Sequence, residues 1–172
     1  MNLLDFLRDV PDFPKPGIVF KDISPLLANP QALRMAVQRM ADLVDGVHID
    51  RLCAMESRGF LFGTPLALQL DVGFTPIRKP GKLPWKTYSV EYDLEYGTDR
   101  LEIHADGVHE GERVLVVDDV LATGGTMQAA CHLVEQLGGT VVACVVLLEL
   151  TFLEGRKKLP GRTVHAVHAI TS

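Results

Sequence analysis

The chain contains no apolar run of the roughly 18 residues that span a bilayer. Its opening residues, Met1-Asn2-Leu3-Leu4-Asp5, lack the basic and apolar regions of a signal peptide. The cytoplasm is therefore the expected compartment, with no membrane partner. Cysteine is scarce: Cys53, Cys131 and Cys144 stand far apart among apolar neighbours, which argues against a disulfide framework or a CxxC metal site and for small buried hydrophobes. Basic residues are outnumbered, with 17 Lys and Arg against 22 Asp and Glu for a net charge of -5. No basic cluster offsets this, so nucleic acid is not an expected partner. Neither G-x-x-x-x-G-K-[ST] nor G-x-G-x-x-G occurs, which removes the P-loop and dinucleotide-binding readings. Among the six histidines only His165 and His168 are close; in a strand, residues three apart face opposite ways, so a structural role is expected for both.

What is present describes one domain. A chain of 172 residues, 47% hydrophobic and 23% charged, can bury a continuous core, and no repeat or linker divides it. Leu3, Leu4, Phe6 and Leu7 predict a short amphipathic helix closed by Pro11. The stretch Asp12 to Pro25 has too many breakers for a long element, but it suits a rigid extended segment around Ile18 to Ile23. Phe20 there either packs onto the core or stacks on a planar ligand. Asn29-Pro30 reads as a helix cap and first turn. Leu33, Ala36, Val37, Met40, Ala41 and Val44 follow at helical spacing, and Gly46 marks the stop.

Strand, polar turn, helix and strand then recur twice, over 52 to 77 and over 114 to 150, which implies parallel strands with right-handed crossovers. In the first unit Leu52 to Met55 is a buried strand. Glu56 to Gly59 is its turn, and Phe60 to Leu70 is a helix apolar nearly all round. In the second, Met127, Ala130, Cys131, Val134 and Leu137 make a helix face ended by Gly138-Gly139, and Val141 to Leu148 is a strand buried on both faces. The expected fold is α/β, a parallel-stranded core sheet flanked by helices, with ligands beyond the C-terminal strand edge. Between the units, Arg78 to Asp99 is rich in basic residues, breakers and tyrosines, and reads as an active-site flap or an exposed hairpin.

The chemistry concentrates in Val114 to Thr126. Four apolar residues form a strand, Asp118 and Asp119 stand at its end, and Ala122-Thr123-Gly124-Gly125-Thr126 can wrap one phosphate with backbone N–H groups at a helix start. Paired acids beside an anion need a reason. They can hold ribose hydroxyls, face developing positive charge, or act through a cation.

This stretch resembles the phosphoribosyl diphosphate motif of the type I phosphoribosyltransferases. The resemblance extends to Phe13 to Ile23, Glu56 to Gly63, Arg78 to Pro84, Leu94 to Gly97 and Glu149-Leu150, blocks similar to those of the adenine phosphoribosyltransferases. It implies a type I phosphoribosyltransferase fold with a hood over about residues 1 to 30 and a flap over about 79 to 99. The implied reaction is transfer of the phosphoribosyl group of 5-phosphoribosyl 1-diphosphate (PRPP) to adenine, giving AMP and diphosphate. Mg²⁺ is expected on the diphosphate, with no protein-only metal site.

By the same resemblance, Ala122, Thr123, Gly124, Gly125 and Thr126 hold the 5′-phosphate, and Asp118 and Asp119 lie by the ribose. Ser57 and Arg58 match the pyrophosphate loop, with a cis peptide between Glu56 and Ser57. Arg78 and Lys82 meet the leaving diphosphate. Glu95 and Tyr96 form the flap tip, Glu95 assisting proton transfer. Val19, Phe20 and Lys21 meet adenine, Lys21 standing where many relatives have Arg, and Leu150 contacts the base from the other side. The family commonly forms homodimers, and the apolar helix Phe60 to Leu70 suits such an interface. Two other functions share parts of this pattern: transfer to another purine, and a regulator that senses PRPP. The acidic balance and the N-terminal block weigh against them.

Overall fold

Two units make up the chain, Met1–Arg39 and Met40–Ser172, in a computed structural model that describes residues 1–94 and 97–172. In the first unit, Asn2 caps a 3-10 turn, Leu3–Phe6, by accepting from the Leu4 N–H at 3.2 Å. Leu7 is extended, and Arg8–Pro11 forms strand β1. The helix expected up to Pro11 is thus one turn only. A four-residue turn makes too few hydrogen bonds to propagate, whereas β1 gains a partner in β2, Val19–Asp22, pairing antiparallel from Arg8 opposite Asp22 to Pro11 opposite Val19. The extended segment expected around Ile18 to Ile23 is this strand. Helix α1, Ser24–Ala28, was not anticipated: Pro25 reads as a breaker, but in a first helical turn its missing N–H costs nothing. Helix α2, Pro30–Asp42, begins as expected, with Asn29 Oδ1 accepting from the N–H groups of Gln31 and Ala32, both at 3.0 Å. Gly46 adopts a positive φ just beyond.

In the second unit, β3 (Arg51–Met55), α3 (Arg58–Leu70) and β4 (Gly73–Arg78) make the first crossover. Strands β5 (Thr87–Asp93) and β6 (Thr98–His104) form a hairpin. Then β7 (Arg113–Leu121), α4 (Gly125–Gln136) and β8 (Thr140–Leu150) make the second crossover, and β9 (Val164–Ile170) ends the sheet. The order is β5-β6-β4-β3-β7-β8-β9. From β4 to β9 the neighbours run parallel, while β6 and β5 are antiparallel. The two crossovers therefore meet at the middle of the sheet, where β3 and β7 are adjacent, and the turns that follow them share one edge.

Two expectations need correction. Strand β7 does not stop at Val117: it runs through Asp118 and Asp119 to Leu121, because Asp118, Val120 and Leu121 continue in register with Val146, Leu148 and Glu149 of β8. Alternation then sends the adjacent acids to different sides of the strand. Helix α3 starts at Arg58 and is buried on one side only, through Gly59, Phe62, Gly63, Leu66 and Ala67. Leu61 and Leu68 are 45% and 79% exposed, so the sheet covers one stripe of an apolar helix and leaves another bare.

The core joins Cys53 and Met55 of β3, Ile77 of β4, Leu101 and Ile103 of β6, Val114 and Val116 of β7, Cys131 and Val134 of α4, and Cys144 and Val146 of β8. The cysteines are buried and unbridged, as expected. Cys131 and Cys144 touch sulfur to sulfur at 3.6 Å, and burial pushes the Cys53 thiol up to about 12. His165 and His168 sit three apart on β9. Among the described residues no helix is long and apolar enough to cross a membrane.

Candidate active site

Register places the site. Strands β3 and β7 lie side by side, Ala54 opposite Val117, so Glu56, Ser57 and Arg58 leave the sheet next to Asp118 and Asp119. The peptide between Glu56 and Ser57 is cis, as the resemblance implied. Helix α3 starts close against β7: a Cβ on Gly59 would stand 3.0 Å from Asp118 Oδ1 and 3.3 Å from the Val117 carbonyl oxygen. Only glycine lets the helix begin there without displacing the acid.

Arg58 Nε lies 3.0 Å from Asp119 Oδ2. Asp119 is buried, 3% exposed, and this oxygen has no aligned hydrogen-bond donor among the described residues. The contact is therefore an ion pair of charges rather than a directed bond. Asp118 Oδ1 accepts from the Asp119 N–H at 2.9 Å. Desolvation, then the charge of Asp119, holds the Asp118 carboxyl well above the usual carboxylate range, with Arg58 pulling the other way. Two adjoining acids in a shielded place cannot both ionise cheaply.

The glycine turn follows directly. Gly124 has φ +87° and opens α4 from a left-handed conformation, and Gly155 packs so closely that its carbonyl occupies the space a Gly124 Cβ would need. Gly155 in turn approaches the Ala122 carbonyl. Gly124 and Gly125 are buried, Thr123 is exposed, and Ala122 and Thr126 are half-buried. The N–H groups of the first turn have no intrahelical partner and face outward, beside the positive end of the helix dipole.

On the other side of β3, the Glu56 carboxylate accepts from Arg78 Nε at 3.2 Å and from the Lys79 N–H at 2.7 Å. Glu56 thus fixes the start of the basic segment and aims its own charge at the protein. Lys79 Nζ pairs with Asp99 and lies 3.2 Å from the Tyr92 hydroxyl, which ties this segment to the β5–β6 hairpin. Lys82 is exposed. Leu150 ends β8, half-buried. Glu95 and Tyr96 lie outside the described residues.

Val19, Phe20 and Lys21 belong to β2 in the N-terminal unit. There Val19 is 47% exposed, and Phe20 meets Phe13 edge to face, ring centroids 5.2 Å apart. Lys21 Nζ is held by Asp9 Oδ1 at 2.8 Å, across the strand pair.

The comparisons with known proteins agree with this geometry. Residues 23–162 match the phosphoribosyl transferase domain model. An adenine phosphoribosyltransferase of Kosmotoga olearia is 57% identical over 97% of this chain and 98% of its own length. The chain belongs to the adenine phosphoribosyltransferase family. The crystal structure of the Thermoanaerobacter pseudethanolicus adenine phosphoribosyltransferase superposes with a TM-score of 0.96 at 53% identity, covering 98% of this chain and 100% of that one. The Saccharomyces cerevisiae enzyme, solved with an imino-altritol bisphosphate and adenine, reaches 0.91 at 40% identity, with 96% of each chain covered.

Sequence reasoning missed the locking of the segment after β8. Glu149, 5% exposed, is gripped by Arg156, whose Nε and Nη2 donate to its two oxygens at 2.7 and 2.8 Å while Nη1 donates to the Val164 carbonyl at 2.8 Å. The signal was present as Gly155-Arg156-Lys157-Lys158, a glycine and three cations a few residues after a buried strand that carries Glu149 beside its last residue.

Proposed function

We propose that the chain transfers the phosphoribosyl group of PRPP to adenine, giving AMP and diphosphate. The observation that carries this is the acid pair of half-buried Asp118 and buried Asp119, with Arg58 against Asp119 and the glycine turn at the start of α4 adjoining it. Ala122 to Thr126 take the 5′-phosphate, which anchors the ribose over the acids. The bond between the anomeric carbon and diphosphate breaks with its electron pair leaving on oxygen, and N9 of adenine attacks the same carbon while losing its proton. Positive charge grows on the ring. Carboxylates fixed beside the ring in a shielded place interact more strongly with that growing charge than with the neutral ground state, so they favour the transition state.

Ser57, Arg58, Arg78 and Lys82 meet the departing diphosphate, where cations offset the charge on its oxygens. Glu56 serves them by seating Arg78 and Lys79. Among the described residues no three His, Cys, Asp or Glu side chains gather into a metal site. The Asp119 carboxylate, one oxygen of which lacks an aligned donor among the described residues, would suit a Mg²⁺ ion that keeps most of its ligands on substrate and water. When bound, that ion neutralises diphosphate charge.

Val19, Phe20 and Lys21, in the hood over about residues 1 to 30, are assigned to adenine recognition by the resemblance, and so is Leu150. The flap over about 79 to 99 brings Glu95 and Tyr96 to exclude water and assist loss of the N9 proton. Turnover of Glu95→Gln decides the last point: a near-normal kcat removes Glu95 from proton transfer. Support for a homodimer comes from the bare stripe of α3 with Leu61 and Leu68.

Competition among adenine, hypoxanthine, guanine and xanthine at equal concentration, with PRPP and Mg²⁺, tests the reading. Nucleotide should form from adenine alone; preference for another base overturns the assignment.

A further inference from the structure

Lys158 is the feature the reaction has not used. It closes the 3-10 turn Gly155–Lys158, and that turn is built against the cradle. The carbonyl of Gly155 fills the space beside Gly124, and Gly155 lies under Ala122. The two-point grip of Arg156 on Glu149 locks the turn to the end of β8. Residues held this firmly carry a defined neighbour into place, and the neighbour is a cation. Lys158 Nζ lies 3.6 Å from where a Cβ of Gly125 would stand.

Lys158 is exposed and forms no ion pair among the described residues. Its ammonium borders a cleft of about 230 Å³ shared with Gly125, Gln128 and His132 of α4 and Tyr92 of β5. The local charge explains the need for it. A phosphate in the cradle carries up to two negative charges beside two acids, and the nearby Arg58 is already paired with Asp119. Backbone N–H groups and a helix dipole contribute only about half a unit charge. A full cation at the first residue of α4 completes the compensation.

We propose that Lys158 is a substrate-binding residue that supplies the side-chain cation for the 5′-phosphate of PRPP and of AMP. This rests on the reading of Ala122 to Thr126 as the phosphate cradle.

The test compares Lys158→Gln, Lys158→Arg and the cradle variant Gly124→Ala with the unaltered enzyme, using steady-state kinetics and calorimetry with AMP. Lys158→Gln should raise KM for PRPP and Kd for AMP about tenfold, the worth of one charge-assisted bond. The kcat and the KM for adenine should stay within about twofold, and Lys158→Arg should restore most of the loss. A structural role would instead lower the melting temperature and disturb both substrates alike. Unchanged PRPP and AMP binding in Lys158→Gln, a loss confined to kcat, or equal losses for adenine overturns the proposal. If Gly124→Ala weakens PRPP and AMP while Lys158→Gln does not, only the role of Lys158 falls; if neither weakens them, the cradle reading falls with it.

Discussion

Arg58 and Asp119 come from two different crossovers and meet at 3.0 Å, Nε to Oδ2. Their contact couples the loop proposed to hold the leaving diphosphate to the acid proposed to face the ribose.

Arg58→Gln should lower kcat/KM for PRPP on the order of 100-fold, the scale of losing one preorganised charge in a site. It should also move the acid limb of the pH profile upward. Arg58 pulls the Asp118 carboxyl down against burial and Asp119, so its loss lets that carboxyl keep its proton to higher pH. An acid limb that stays in place, read from kcat/KM against pH, would contradict the coupling.

Asp118→Asn should separate stability from activity. Desolvation and Asp119 raise the Asp118 carboxyl, so the folded chain retains a proton that the unfolded chain releases. That contribution is full below the ordinary carboxylate range and is lost as pH rises through the raised value. At neutral pH the variant should melt higher, by roughly 2–4 °C for each kcal/mol recovered in a chain this size. The difference should vanish toward pH 3, where both side chains are neutral. Turnover should fall about 100-fold or more. Melting curves across pH, beside kcat, check both signs.

Lys21→Gln should leave KM for adenine within about twofold. The ammonium is already engaged by Asp9 at 2.8 Å, and an exposed cross-strand pair contributes at most about 1 kcal/mol. Base recognition at Val19 to Lys21 would then run through the backbone. A tenfold rise in KM for adenine, with PRPP unaffected, would assign the side chain a direct role.

Leu68→Glu should weaken self-association. Leu68 is 79% exposed on the bare stripe of α3, and burying a leucine contributes roughly 1.5–3 kcal/mol, whereas burying an unpaired carboxylate costs more. Light scattering after size exclusion should show a dimer for the parent chain and a shift toward monomer for the variant. A monomeric parent chain would remove α3 as an interface.

Much was legible along the chain because it is local. The cap at Asn29, the strand-turn-helix repeats and the left-handed opening of α4 at Gly124 all act through neighbours a few residues away. The extent of β7 was not legible. Alone, Asp118 and Asp119 look like the end of a strand; only β8 alongside, supplying partners out to Glu149, carries the ladder through them. The N-terminal helix shortened for the same reason, since β2 lies beyond a turn that periodicity cannot see.

The sequence by itself determined the α/β alternation, the acid pair and the glycine turn, since hydrophobic period and backbone freedom are properties of adjacent residues. Only the tertiary structure decided which distant groups face those acids. Parallel strands bring Arg58 to Asp119 across 61 residues of chain, and the close approach of Gly155 to Gly124 sets Lys158 beside Gly125 at the start of α4. Contacts of that kind depend on sheet order, which no local period encodes.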